Sequence, residues 1–298
     1  MNFTLKQLQI FMSVVNNGST LAASHELNVT QPAVSAAINE LESNLGAKVF
    51  DRWKKRIIVN ERGRTLIPLA QLLLANAREI NLTFDAGKDK HSGTLRIGAS
   101  STLASYVLPK IISEFMLEYP NIRIDLISSN KTNIISMIED CTLDIGVVAG
   151  GNSKPFISCQ HCFSDSLRII AGVKNPLFSQ SDITPEQLAS QKWVMREEGS
   201  GTLEVFQSAT SQSLANLDVQ LKADNLESIK QIVIKSDMLG CISEFAIKNE
   251  LETGSLKMIE APYINLTRDI YTILHEQRKE SSILKAFNNK LIQMSANS

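Results

Sequence analysis

Apolar residues recur at spacings of three and four through the first 84 positions, and beyond residue 93 they gather into short runs joined by further such spacings. Leu8, Phe11, Met12 and Val15 form the first helical stripe, which Asn17-Gly18 ends. A short helix from about Thr20 to Leu27 follows, with Ser19 as its cap, and Asn28-Val29 makes a tight turn. Thr30 then offers an N-cap oxygen ahead of Gln31-Pro32, where proline is tolerated because its missing N–H would have no intrahelical partner. In the next helix Val34, Ala37, Ile38, Leu41 and Leu45 make one buried stripe. Its opposite face carries Pro32, Ser35, Ala36, Asn39 and Ser43, where a solvated helix would favour Lys and Glu. Helix, short turn and capped helix together predict a helix-turn-helix.

After Leu45-Gly46, the segment AKVFDRWKKRIIVNERGRTL reads as two short strands around the basic turn Arg52-Trp53-Lys54-Lys55-Arg56. A long helix is expected from Glu61 to Phe84, with Leu66, Leu69, Leu73, Ala77, Ile80 and Phe84 on one stripe. Pro68 is expected to kink this helix or mark a late start. A stripe of that length is better buried on a partner helix than on its own domain. The polar run Gly87 to Gly93 has hinge composition.

The remainder alternates strands with helices, which predicts a parallel α/β sheet. TLRIGA is a strand, followed by Ser100-Ser101-Thr102 and a helical pattern to Glu118. IRIDLI leads to Ser129-Asn130 and a helix, and LDIGVV ends in Ala149-Gly150-Gly151. A second α/β unit begins near Ser164 with LRIIAGV and continues through KWVMR, a helix opened by Ser200-Gly201-Thr202, and a strand from Val219 to Ala223 leading to Asn225. DIYTILH and SILKAFNNKLI close the chain and return to the first unit.

With 298 residues, 43% hydrophobic and 20% charged, the chain suits a globular protein of two domains or one large one. No secretory signal and no apolar run of membrane-spanning length is evident, so the expected setting is the cytoplasm without membrane contact. Charge is uneven: residues 1–90 carry 11 Lys/Arg against 8 Asp/Glu, whereas the rest carries 19 against 23. The basic excess lies beside the helix-turn-helix and points to a polyanion there.

The helix face identifies that polyanion as double-stranded DNA. A recognition helix must enter a major groove about 12 Å wide and bring its N-terminal residues to base edges. Small Pro32, Ala33, Ser35 and Ala36 allow close approach, Gln31 and Asn39 suit adenine or phosphate, and the Thr30 end of the helix dipole favours phosphate. Arg52, Lys54, Lys55 and Arg56 then form a wing over the backbone or minor groove.

These residues carry a family resemblance. Thr30 to Ser35, Ile38, Leu41-Glu42, Leu45-Gly46, Val49-Phe50, Arg52 and Val59-Asn60-Glu61-Arg62-Gly63 resemble the signature of LysR-type transcriptional regulators, and the likeness spans essentially the whole chain. Thr20 departs from it, because the family usually has an aromatic residue there. The resemblance implies an N-terminal all-α-type winged helix-turn-helix over residues 1–60 and a linker helix with hinge over 61–92. It also implies a periplasmic-binding-protein-like α/β effector domain over 93–298, made of two Rossmann-like lobes (93–163 with 269–298, and 164–268). It implies a homodimer paired through the linker helix and assembling to a homotetramer on a roughly palindromic operator.

In such sheets ligands bind beyond the carboxyl ends of strands. Ser100, Ser101, Thr102, Ser129, Asn130, Ala149, Gly150, Ser200, Gly201, Thr202 and Asn225 fall at those ends, and their hydroxyls and helix-start N–H groups suit a small anion. Arg196 is the candidate cation, with Glu197 and Glu198 opposing a large negative ligand. Ser and Thr are also ordinary helix caps. Ser100 to Ala104 with Tyr106 to Pro109, and Arg196 to Thr202, look most like the CysL-like and YeiE-like branch. That branch is associated with sulfur metabolism, which implies sulfite or a related oxyanion. Ser236-Asp237-Met238 stands where relatives usually have Gly-x-Gly, so a backbone turn in the second lobe is expected to be altered.

Nothing in the sequence calls for a cofactor or metal, or makes an enzyme. The lone Cys159-Gln160-His161-Cys162 lacks a second ligand pair, and His25, His91, His161 and His275 are scattered. No Walker-type phosphate loop is present. A solute-binding protein fits the α/β region alone, but not the N-terminal segment.

Overall fold

Local capping chemistry fixes the first three helices. In the computed structural model, which describes residues 3–53, 56–84, 93–151, 154–211, 214, 217–277 and 281–294, α1 is Leu5–Asn17, opened by a capping box between Thr4 and Gln7 and closed by Gly18 at φ 61°. Ser19 caps α2 (Thr20–Glu26) by accepting from the N–H groups of Leu21 and Ala22. The chain turns through Asn28 at φ 51°. Thr30 caps α3 (Gln31–Leu45) by accepting from Ala33 N–H, and Gly46 ends it at φ 66°. Strands β1 (Phe50–Trp53) and β2 (Arg56–Val59) pair antiparallel, Phe50 opposite Val59 and Trp53 opposite Arg56.

α4 runs from Glu61 through Phe84 with Pro68 inside it, so Pro68 does not mark a late helix start. Leu66, Ile67, Ala70 and Leu74 pack it against the core of Leu8, Phe11, Val34 and Leu41. Leu69, Leu73 and Ile80 are exposed. The hinge run Gly87–Ser92 lies outside the described residues.

The chain divides into an N-terminal unit up to Lys90 and a C-terminal unit from His91, apart from the short stretches 139–142 and 277–279. In the second unit β3 (Gly93–Ser100) is followed by a π-helical turn, Leu103–Val107, and then α5 (Leu108–Glu118). β4 (Ile122–Ser129), α6 (Lys131–Glu139) and β5 (Ile145–Ala149) follow. The long strand β6 spans Ile157–Gly172. Then come α7 (Pro185–Ala189), β7 (Lys192–Arg196), α8 (Gly201–Thr210), β8 (Asp218–Ala223) and α9 (Leu226–Lys235). β9 (Leu239–Ser243), α10 (Lys248–Glu252), β10 (Leu256–Ile259), β11 (Thr267–His275) and α11 (Ser282–Met294) complete it.

The sheet is mixed, which corrects the expectation of a parallel one. Its order is β4-β3-β5-β11-β6-β9-β7-β8, with β10 also on β6. β3 is parallel to β4 and β5, and β7 to β8 and β9, so each lobe keeps a parallel centre. The long strands β6 and β11 run antiparallel to their neighbours and join the lobes. β6 pairs with β11 up to Ser166 and with β9 from Leu167, so one strand serves both halves. Each half has its own core: Ile97, Leu108, Phe115 and Phe287 in the first, Trp193, Phe206 and Leu239 in the second. Trp193 is fully buried and donates its ring N–H to Leu188 O at 3.1 Å.

Candidate functional site

On α3 the apolar stripe is buried, with Val34 and Leu41 at 0% exposure, and Gln31, Pro32, Ala36 and Asn39 face outward. Ser35 is half-buried, in a depression shared with Thr20, Asn39, Lys48 and Asp51. Thr30 is committed to capping. Gln31 donates from Nε2 to Thr20 Oγ1 at 3.3 Å, so the departure at Thr20 puts a hydroxyl against the recognition helix. Of the basic wing, Arg52 and Arg56 belong to the paired strands, whereas Lys54 and Lys55 lie outside the described residues.

Two residues that the sequence reading left without a role set this geometry. Glu42 is 6% exposed and accepts from the backbone N–H of Val49 at 3.0 Å and of Phe50 at 3.4 Å, tying α3 to the start of the wing. Its other oxygen is 2.6 Å from Lys48 Nζ. Gly63 lies where any Cβ would fall 2.2 Å from Val49 O, so α4 can begin against that strand only with glycine. Asn60 caps this start by accepting Gly63 N–H at 2.9 Å.

In the C-terminal unit a narrow cavity is lined by Ser100, Thr102, Asn130, Ala149, Arg196, Ser200, Gly201 and Thr202, together with Lys131 and Arg268. As it stands it has room for no more than a single water, so a larger guest must displace groups at its rim. Strand-end loops and the starts of α6 and α8 converge there, from both lobes; Asn130 caps α6 by accepting Asn133 N–H at 2.9 Å. Ser200 makes no side-chain capping bond. The hydroxyls of Ser100 and neighbouring Ser101 are buried without a hydrogen-bond partner.

Four sequence candidates stand outside this lining. Ser129 accepts from Asn133 Nδ2, Gly150 turns the chain at φ 74°, Ser101 lies beside Ser100, and Asn225 is exposed and caps α9 by accepting Ser228 N–H. The turn at Ser236 is also away from the lining. Ser236 Oγ accepts Met238 N–H at 3.2 Å, and no residue from 236 to 238 has positive φ, so this turn has no need of glycine.

The cavity cations are paired. Arg196 is 4% exposed and bound by two nitrogens to Glu197, at 2.8 and 3.0 Å. Arg268, missed in the sequence, donates from Nε to Asp165 Oδ2 and from Nη1 to Thr202 Oγ1, both at 2.8 Å. Ser243 Oγ completes the Asp165 carboxylate at 2.9 Å. Arg268 and Asp165 are register partners on β11 and β6, where the two lobes join. Lys131 pairs across the lobes with Glu204 at 2.8 Å.

A second tie between the lobes runs from the π-helical turn to α9. Tyr106 donates to Glu227, and its ring lies 5.3 Å from Lys230 Nζ. Burial alone would lower the Lys230 ammonium, but Glu227 and Glu250 at 2.6 and 2.7 Å hold its pKa above the usual range. Burial and the Glu227 contact raise the Tyr106 phenol.

Cys159 and Cys162 sit on β6 three residues apart, the first exposed and the second buried, on opposite faces of the sheet. Among the described residues no cluster of His, Cys, Asp or Glu is arranged to hold a metal, and no helix is long and apolar enough to cross a membrane.

The comparisons with known proteins agree with this architecture. Residues 5–64 match the family described as bacterial regulatory helix-turn-helix protein, lysR family, and residues 88–295 match the LysR substrate binding domain. The uncharacterized HTH-type transcriptional regulator YeiE of Escherichia coli K12 is 36% identical over 96% of both chains. Among solved structures, the full-length OxyR of Pseudomonas aeruginosa superposes with a TM-score of 0.75 at 18% identity, covering 98% of this chain and 95% of its own. Full-length CbnR in complex with its target DNA gives 0.69 at 16% identity, covering 98% and 100%.

Proposed function

The chain belongs to the LysR family of DNA-binding transcriptional regulators, and we propose that it answers to a small oxyanion of the sulfite class held in the cavity between its effector lobes. One observation carries this reading: the Ser100 hydroxyl is buried, without a partner, in a cavity faced by the N-terminus of α8. A buried polar atom left unpaired costs free energy, and an oxyanion supplies the acceptor that the Ser100 hydroxyl lacks, beside the positive end of the α8 dipole. Because Arg196, Arg268 and Lys131 already have carboxylate partners, recognition rests mainly on hydrogen bonds and favours a small ligand of low charge. The likeness of Ser100–Pro109 and Arg196–Thr202 to the sulfur-associated branch favours sulfite within that class.

In the same reading Thr30, Gln31, Pro32, Ser35, Ala36 and Asn39 meet the major groove, and Arg52, Lys54, Lys55 and Arg56 hold the backbone. The exposed Leu69, Leu73 and Ile80 pair two copies through α4. The protein acts in the cytoplasm on double-stranded operator DNA, and ligand binding alters the lobes and hence the spacing of the DNA-binding heads.

The test is thermal unfolding of the whole protein against sulfite, sulfate, thiosulfate, phosphate and small carboxylates at matched ionic strength. A ligand at a hundred times its dissociation constant stabilises by about 2.7 kcal/mol. A shift with a sulfur oxyanion, lost in Ser100→Ala, is expected. A shift with carboxylates alone would replace the oxyanion by an organic acid, and no shift at all would remove the ligand assignment.

A further inference from the structure

We infer that Glu204 sets the anion affinity of this cavity by competing for the Lys131 ammonium, an inference that rests on the ligand reading above. Lys131 is the first residue of α6, where a cation opposes the helix dipole and needs an anionic partner. Its side chain lines the cavity and is only 14% exposed. Its partner, Glu204, reaches it from the first turn of α8 in the other lobe, at 2.8 Å.

The three cavity cations differ in how readily they can change partner. The Asp165 carboxylate on Arg268 is 1% exposed and Glu197 on Arg196 is 23% exposed, so releasing either strips a buried or partly buried charge. Glu204 is 48% exposed and is not part of the lining. It can pass into water at little cost while an incoming anion takes the ammonium. Lys131 is therefore the exchangeable cation, and Glu204 the internal competitor that a ligand must displace. The exchange also removes one tie between the lobes, because Lys131 and Glu204 belong to different lobes, so occupancy changes what holds the lobes together.

The experiment titrates the full-length protein with sulfite and, separately, with sulfate, in four forms: wild type, Glu204→Gln, Lys131→Gln and the double variant. Glu204→Gln is expected to bind the anion roughly three- to five-fold more tightly, the scale of one half-exposed ion pair. Lys131→Gln is expected to bind it more weakly. The gain from Glu204→Gln should vanish in the Lys131→Gln background, because the competitor then has nothing to compete for.

Unchanged affinity in Glu204→Gln would overturn the inference. So would an equal gain with and without Lys131, which would mean that Glu204 acts only through its field on the α8 terminus. Failure of both wild type and Glu204→Gln to bind either anion would overturn the ligand reading and this inference together. Binding by wild type with no gain in Glu204→Gln would overturn this inference alone.

Discussion

The Glu42 carboxylate accepts the backbone N–H of Val49 at 3.0 Å from a position only 6% exposed. It thereby fixes the distance between recognition helix and wing. Its ion pair with Lys48 adds little, because Lys48 is 71% exposed. Glu42→Ala leaves buried N–H groups without an acceptor and is expected to cost about 2–3 kcal/mol. Glu42→Gln keeps one acceptor and should cost less. Chemical unfolding followed in the N-terminal unit checks the order, and equal stability of wild type and Glu42→Ala would refute it.

Gly63 also lies against Val49. A Cβ there falls 2.2 Å from Val49 O and 2.7 Å from Val59 Cγ1, and the nearer atom is backbone that cannot swing aside. Gly63→Ala is expected to lose about 1–3 kcal/mol through displacement of the start of α4. A melting temperature equal to wild type would mean that α4 begins elsewhere in solution.

If α3 enters the major groove as proposed, it needs a low, uncharged face there. Ser35→Glu with Asn39→Glu places two carboxylates where DNA phosphates and base edges would come, and should abolish operator binding while leaving the oligomer intact. Lys54→Ala with Lys55→Ala should weaken binding to all DNA and flatten its salt dependence. Mobility shift at several salt concentrations reads both. A loss confined to one sequence in the lysine variant would contradict its backbone role.

What could be read in the sequence divides along the distance over which each signal acts. The helices at Leu5–Asn17, Thr20–Glu26 and Gln31–Leu45 were legible because their apolar stripes, Ser19, Thr30 and the glycines at 18 and 46 act within a turn or so of themselves. The apolar stripe of α4 was legible, but the choice at Pro68 between a kink within the helix and a late start was not, and the helix includes it. The mixed sheet was not legible. β6 carries the polar run Ser158 to His161 inside a 16-residue strand, and β9 and β10 are short segments in a stretch that otherwise reads as helix and loop. Nor could the partners of Arg268 and Lys131 be found, because Arg268 meets Asp165 across 103 positions and Lys131 meets Glu204 across 73. The hydroxyl-rich strand ends led to the cavity, and the topology decided that Asn225 would stand outside it.

Within the cavity, two substitutions should separate ligand binding from folding. Ser100→Ala removes a buried hydroxyl that has no partner, so stability should be unchanged or raised while the ligand-induced shift is lost. Arg268→Ala strands Asp165, which is 3% exposed, and should cost about 3–5 kcal/mol. Calorimetry of both variants checks the contrast. A large destabilisation in Ser100→Ala would show that its hydroxyl has a structural partner after all.

The cysteines give a prediction for alkaline pH. Burial pushes the Cys241 thiol up to about 12, from 9.0 for the free side chain, and raises Cys162 in the same direction. Both should remain protonated and unreactive in the folded protein at neutral pH, whereas exposed Cys159 is open to reagent. Cys159 and Cys162 point to opposite faces of β6 and should form no intramolecular disulfide. Because the folded state holds the Cys241 proton more tightly than the unfolded state, that contribution to stability is fully present below pH 9. It then falls with rising pH as the unfolded thiol ionises, by at most about 1.4 kcal/mol per pH unit, until the folded pKa near 12 is reached. Cys241→Ala should remove this part of the alkaline loss, at the cost of a small cavity at neutral pH. Iodoacetamide labelling of the native protein at neutral pH, read by peptide mass, should therefore mark Cys159 and leave Cys162 and Cys241 unlabelled. Labelling of Cys241 at the same rate as Cys159 would mean that the core around β9 opens far more readily than its burial implies.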